Sequence, residues 1–352
     1  MKTIIRYVFI LLYLHKTTAS GFTLTSIFGT SDDPDLPETC YGNDINESLK
    51  SGVNDVVIVR QSDGTLKSTA LQARVGKLSN WKTLFKSRKG KTAKLYINNI
   101  RASSGTRLVL SDSGAVFIHR RQSKHSCLFS DEEIQTMGLN EGINNAVLVV
   151  NELDIEMPFS VYLFNQNSNL VITDIDGTIT TSDVKGFLVG NIGVNVHHSK
   201  VVELFDKVSK NGYIIVYLTA RPIAFDGATR KYLFETLQGV NEGLPEFATY
   251  SMPLGPLFLS PISAEAAITA DAEIMKVATL RSLLDLFDLK QDIVAGAYGN
   301  KNTDTEAYLT SGIMGEKIYL INEASKIINV ATGNETSYRL QTQRVNEIYP
   351  KS

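Results

Sequence analysis

Leu170-Val171-Ile172-Thr173-Asp174-Ile175-Asp176-Gly177-Thr178 begins with four apolar or β-branched residues, the signature of a buried strand. Carboxylates at i and i+2 then stand where that strand runs out, at the carboxyl edge where open α/β sheets bind ligands. One buried carboxylate is costly and two side by side repel, so a cation is their natural partner. Oxygen donors alone favour magnesium. Gly177 lets the backbone turn sharply and approach a ligand. An acidic turn at a strand end has the same composition, so the motif needs support from the rest of the chain.

That support comes from downstream. Val201, Val202, Leu204, Phe205 and Val208 fall on one helical face. Further strands are expected at 213–218, 256–259, 292–297 and 317–321, with helices over 229–237 and 274–287. Alternating strands and helices imply a parallel α/β sheet with helices on both faces. Three chemical elements fall beside its strand ends. Thr219-Ala220-Arg221 follows the second strand, where the hydroxyl can donate to a phosphoryl oxygen. Lys276 opens a helix and could neutralise a dianionic phosphate. Gly299-Asn300-Lys301-Asn302-Thr303-Asp304 offers oxygen ligands for the cation. Singly these are a helix cap, a surface lysine and a turn; in this order they reinforce one another.

Upstream, the pattern is of short strands: Val56 to Val59, then 94–97, 107–110, 115–118, 146–150 and 159–164. Gln61-Ser62-Asp63-Gly64 and Asp112-Ser113-Gly114 supply turns. This spacing suggests a β-sandwich. The chain has 352 residues, enough for about two domains. The division expected is a signal peptide at 1–20, a polar linker at 21–52, the β-region at 53–164, the catalytic α/β domain at 165–330 and a tail at 331–352. Hydrophobic residues at 43% exclude a disordered chain, and a net charge of −2 excludes a general nucleic-acid binder. Two cysteines exclude a zinc site of several thiolates.

The N-terminus has a basic start, a short apolar core from Tyr7 to Leu14 and small residues at 19–21, the parts of a secretory signal peptide. The apolar core is too short for a transmembrane helix, which needs about 20 residues. Secretion would let Cys40 and Cys127 pair. The alternative is a cytoplasmic protein on the endoplasmic reticulum surface, with this segment as a membrane-binding helix.

Asp174 to Thr178, Thr219, Lys276 and Asn300 with Asp304 resemble the four motifs of the haloacid dehalogenase superfamily. One branch is closer. Asp174 to Asp183, Asn211 to Arg221, Thr229-Arg230-Lys231-Tyr232-Leu233, Gly255 to Pro261 and Tyr298-Gly299-Asn300 resemble the catalytic half of lipins, the magnesium-dependent phosphatidate phosphatases. Asp55 to Leu66, with Val75-Gly76-Lys77, resembles the lipin N-terminal domain, and Phe129 to Ile134 the segment leading into the catalytic half. The resemblance implies an immunoglobulin-like β-sandwich joined to a Rossmann-like catalytic domain. It implies that Asp174 attacks phosphorus and Asp176 acts as acid and base. Thr219 and Lys276 would hold phosphoryl oxygens, with Gly177, Thr178, Ala220 and Arg221 lining the substrate. Magnesium would sit on Asp174, Asp176, Asn300 and Asp304. Non-catalytic phosphatidate binding and hydrolysis of a soluble phosphomonoester are the alternatives.

Three stretches depart from the family pattern: Gly186-Phe187, Asn195-Val196-His197-His198 and the surroundings of Ser263-Ala264-Glu265. His197 and His198 lack partners at zinc spacing and are expected at the surface or substrate edge. A basic run, with no acid between Arg74 and Lys94, includes Trp81, Lys82, Lys86, Arg88, Lys89 and Lys91. It is either a solvated loop or a docking site for an anionic membrane surface, at about 1 kcal/mol per basic residue.

Overall fold

The computed structural model describes residues 50–76, 87–102, 106–120, 126–181, 197–236, 251–261, 271–288 and 292–351. The expected signal peptide, Cys40, Trp81, Lys82 and Lys86 lie outside the described residues, as does nearly all of the linker.

The N-terminal unit is built from β1 (Gly52–Val53), β2 (Val56–Arg60), β3 (Leu66–Ser68), β4 (Ala73–Arg74), β5 (Thr92–Ile97), β6 (Ile100–Arg101), β7 (Arg107–Leu110) and β8 (Val116–His119). After helix α1 (Asp131–Gln135), the long β9 (Gly142–Val150) and β10 (Ile155–Asn165) complete it. The hydrogen-bonded path runs β3-β2-β10-β9-β5-β7-β8. It closes on one core in which Ile58, Leu95, Leu108, Ile118 and Leu148 meet. The alternation of β2 divides it between two cores. Val56 and Ile58 face that first core, while Val57 and Val59 pack with Leu170, Ile172, Val216 and Phe258 of the next unit. A strand buried on both faces reads as the continuous apolar run seen here.

The second unit holds β11 (Leu170–Thr173), α2 (Val201–Lys210), β12 (Ile214–Pro222), α3 (Asp226–Arg230) and β13 (Leu257–Ser260). It continues with α4 (Asp271–Leu284), β14 (Val294–Gly299), α5 (Asn302–Thr310) and β15 (Ile318–Ile321). β11 to β15 pair in parallel in the order β13-β12-β11-β14-β15. The five residues expected on one face of α2 are its buried ones. Helix α3 starts earlier than the pattern suggested and runs into a π-helical turn, Lys231–Thr236.

The unit continues past the expected boundary at 330. β16 (Ile327–Asn329) and β17 (Glu335–Thr336) extend the sheet, and α6 (Tyr338–Gln343) and α7 (Val345–Ile348) cover its face. Tyr338 and Tyr349 are buried there, and the Tyr349 hydroxyl lies 2.6 Å from that of Tyr298. The stretch expected as a tail is therefore part of the second unit's core. Among the described residues no helix is long and apolar enough to cross a membrane.

The basic run loses two members to the interior, Arg74 and Arg88. Arg88 is buried, with Nη1 aimed at the carbonyls of Val75 and Gly76 at 3.5 and 3.4 Å. Its guanidinium serves the backbone of its own unit and is not offered to a membrane. Lys89 is exposed and pairs with Asp112 at 3.2 Å. Cys127 is buried beside Ala115 and Phe117 and is not a free thiol.

Candidate active site

The chain winds outward from β11 through β12 to β13, then returns to lay β14 on the other side of β11. That reversal is where doubly wound sheets open a crevice at their carboxyl edge. Asp174 follows β11, Thr219 lies near the end of β12, and Asn300 follows β14. Lys276 lies in the second turn of α4, not at its start, and that helix packs on the sheet through Leu280, Leu283 and Leu284.

Lys276 joins two of the carboxylates. Its Nζ donates to Asp174 Oδ1 at 2.7 Å and to Asp304 Oδ1 at 2.6 Å. All three groups are buried. Burial pushes Asp174 up to about 7; Lys276 opposes this, while Asp304 and Asp176 add to it. Burial works against the Lys276 charge as well, yet the two carboxylates outweigh it and raise the ammonium above its ordinary value. With Asp174 and Asp304 ionised, one cation faces two anions, leaving an excess of negative charge for a further cation to neutralise.

The donor set favours an oxygen-seeking ion. Asn300 Oδ1 is buried and has no hydrogen-bond partner among the described residues, which a buried carbonyl oxygen tolerates poorly. Gly177 has φ +81°, and a Cβ there would strike the Asn300 amide, so glycine is what lets the two loops meet. Asp304 is already committed: Oδ1 receives Lys276, and Oδ2 accepts from the N–H groups of Asn300 and Lys301 at 3.1 and 3.0 Å. Among the described residues no three His, Cys, Asp or Glu side chains converge to hold a metal. The side-chain oxygens left for a cation are therefore the Asp174 carboxylate and the Asn300 amide, donors of the kind a hard cation takes.

Asp176 turns the other way. Arg221 donates Nη2 to its Oδ1 at 2.7 Å and Nε to its Oδ2 at 2.8 Å. Thr219 Oγ1 reaches Oδ2 at 3.4 Å. Arg221, expected against the substrate, is thus engaged with Asp176, and its Nη1 donates to Thr229 Oγ1 at 3.3 Å. Thr178 Oγ1 lies 3.4 Å from Asp174 Oδ2. Ala220 is half-buried between Thr219 and Arg221.

Two residues that hold the motif loop were not foreseen. Tyr338 donates its hydroxyl to the Thr178 carbonyl at 2.7 Å. His198, expected at the surface or the substrate edge, is 1% exposed. Its Nε2 meets the Gly177 carbonyl at 3.3 Å and its Nδ1 meets Ser325 Oγ at 2.7 Å. A carbonyl only accepts, so Nε2 carries the proton. In the neutral ring Nδ1 then accepts from the Ser325 hydroxyl. Burial pushes His198 below its ordinary value, which agrees with that state.

Comparison with known proteins gives two family matches. LNS2 (Lipin/Ned1/Smp2) covers residues 125–350, and the lipin N-terminal conserved region covers 38–137. Among curated proteins, phosphatidate phosphatase LPIN2 of Homo sapiens is 30% identical over 236 residues, 64% of this chain and 25% of that protein. Phosphatidic acid phosphohydrolase 1 of Saccharomyces cerevisiae is 28% identical over 239 residues, 63% of this chain and 27% of that protein. The match thus spans about a quarter of the length of these relatives. A solved haloacid dehalogenase domain from Legionella pneumophila, at TM-score 0.29 and 11% identity, covers 52% of this chain and 95% of that one, and is too distant to bear on function.

Proposed function

Because the chain belongs to the lipin family, we propose that it is a magnesium-dependent phosphatase that hydrolyses phosphatidate to diacylglycerol and phosphate. The observation that carries this reading is the convergence of Asp174, Lys276, Asn300 and the Asp176–Arg221 pair on one sheet edge. We read the curled N-terminal strands as an immunoglobulin-like sandwich. We place the protein peripherally on an anionic membrane, within the secretory pathway.

Asp174 is the nucleophile. Its Oδ1 is fixed by Lys276, leaving Oδ2 to attack phosphorus and form an aspartyl-phosphate. Lys276 and Thr219 then balance the phosphoryl oxygens. Asp176 protonates the departing glycerol oxygen and afterwards takes a proton from the water that cleaves the acyl-phosphate. Asp174, the Asp176 carbonyl and Asn300 would hold magnesium, which supplies charge neutralisation between carboxylate and phosphate. Tyr338 and His198 hold the carbonyls of Thr178 and Gly177, and so keep the turn just after Asp176 from shifting when substrate binds.

The test is phosphate release by the full chain from phosphatidate vesicles and from a soluble alkyl phosphomonoester, with and without magnesium. Release from phosphatidate that requires magnesium is the expected result. Preference for the soluble ester would move the substrate assignment, and binding of phosphatidate without release would make the chain a non-catalytic module.

A further inference from the structure

Helix α3 and the π-helical turn after it stand between the N-terminal β-unit and the Asp176–Arg221 pair, and they touch both. Toward the β-unit, Arg230 donates Nη2 to Asp55 Oδ1 at 2.8 Å and Nη1 to Asp55 Oδ2 at 3.1 Å. Its Nε donates to Asp226 Oδ1 at 2.6 Å, and Asp226 Oδ2 accepts from the Val53 N–H at 3.3 Å. Toward the catalytic edge, Thr229 accepts from Arg221, and the Tyr232 ring lies 5.9 Å from the Arg221 guanidinium carbon. Neighbouring residues 229 and 230 therefore join opposite sides. A π-helical turn often marks a functional segment, and here it brings Tyr232 beneath the arginine.

Asp55 is the fixed end of this series. It is fully buried, and besides Arg230 it accepts from the Ser160 N–H at 2.7 Å and the Leu257 N–H at 2.9 Å. Ser160 belongs to β10 and Leu257 to β13, so one carboxylate ties the β-unit to the edge strand of the catalytic sheet. A bare ion pair between units would need only the Arg230 contact. What distinguishes this one is that Arg230 sits beside the residue that orients Arg221, and Arg221 grips both oxygens of Asp176.

We infer that Asp55 is a positioning residue for the general acid, acting through Arg230, Thr229 and Arg221 on Asp176. This rests on the phosphatase reading, because it takes Asp176 as the group that protonates the leaving oxygen. The N-terminal unit thereby completes the catalytic site from a distance. Misplacing an acid by a fraction of an ångström weakens proton transfer while leaving the nucleophile's geometry intact.

The test separates acid placement from general damage by changing the leaving atom. The full chain is compared with Asp55→Asn, Thr229→Val and Thr229→Ser in single-turnover phosphoryl transfer with magnesium. One substrate is phosphatidate, whose alkoxide must be protonated as it leaves. The other is its analogue with sulfur at the bridging position, whose thiolate leaves without a proton. Asp55→Asn and Thr229→Val should slow the oxygen substrate about 10-fold, part of the roughly 10²–10⁴-fold that a general acid supplies. They should slow the sulfur analogue less than about 2-fold, and Thr229→Ser should restore the oxygen rate. Equal losses on both substrates, or none, would overturn the inference. A readout without turnover is exchange of the Arg221 Nε proton with solvent, assigned by its absence in Arg221→Lys. It should quicken in Asp55→Asn, and unchanged exchange would also overturn the inference. A wild-type chain inactive on both lipids defeats the phosphatase reading, and the exchange experiment still decides whether Asp55 holds Arg221.

Discussion

Replacing Lys276 with Met removes a charge while keeping most of the side-chain volume. In the native chain its ammonium bridges Asp174 and Asp304, whose side chains are 6% and 3% exposed, while its own is 8% exposed. With both carboxylates ionised the cluster carries one net negative charge; without Lys276 it would carry two, both buried. Breaking a buried pair by removing one partner costs about 3–5 kcal/mol. The cost depends on pH in a direction that the cluster fixes. Asp174 already sits above its ordinary value, at about 7. Its ionisation therefore opposes folding, and the stability tied to its protonated form declines as pH rises from about 4 through about 7. Losing Lys276 pushes Asp174 higher still, extending that decline upward. The deficit of Lys276→Met should be largest at pH 8 and should shrink by about 1.4 kcal/mol for each unit of added pKa rise escaped on protonation at pH 5.5. Urea unfolding of both proteins at the two pH values measures this. A deficit equal at pH 5.5 and pH 8 would refute the charge argument, because a packing defect has no reason to titrate.

Three further outcomes follow from local geometry. Gly177→Ala should lose more than about 1 kcal/mol of stability by thermal or urea unfolding, and most activity, because φ is +81° and the new methyl meets Asn300; near-native behaviour would show that the loops can part. Burial holds Asp226 up at about 6, so its charge opposes folding and stability should fall as pH rises from about 4 through about 6; Asp226→Asn should flatten that part of the pH–stability curve, and an unchanged slope would count against it. A bridge between Cys127 and Cys40 should lower the intact mass of secreted protein by two hydrogen atoms relative to the reduced form and add up to about 4–5 kcal/mol of stability; two alkylatable thiols in native material would exclude it.

Much of the second unit's sheet was legible because its strands are apolar runs that end in polar and charged residues. Leu170 to Thr178 gave a strand and its charged end together, and the spacing of Val201, Leu204, Phe205 and Val208 marked the buried face of α2. The residues that complete the site were harder to see, because their roles depend on distant partners. Tyr338 supports the motif loop from 160 residues away, beyond the point where the strand-helix alternation ends. His198 lacked partners at zinc spacing and so read as a surface or substrate-edge residue, because its partners Gly177 and Ser325 come from distant segments. Arg88 looked like its basic neighbours, and only the close approach of the Val75 and Gly76 carbonyls shows why it is buried. Asp55 sits at the mouth of an apolar strand and reads as a polar flank. Its partners Ser160, Arg230 and Leu257 come from three separate segments, a meeting that local pattern does not encode.

The central claim is that Asp174 carries the phosphoryl group, and trapping that intermediate tests it most directly. The full chain is mixed with magnesium and phosphatidate labelled with radioactive phosphorus, quenched in acid within the first turnovers, and mapped by peptide. Acid-stable, hydroxylamine-labile label on the peptide bearing Asp174 is expected, with none in Asp174→Asn and no phosphate released by that variant. Label on another residue, or phosphate release by folded Asp174→Asn at a substantial fraction of the native rate, would contradict it.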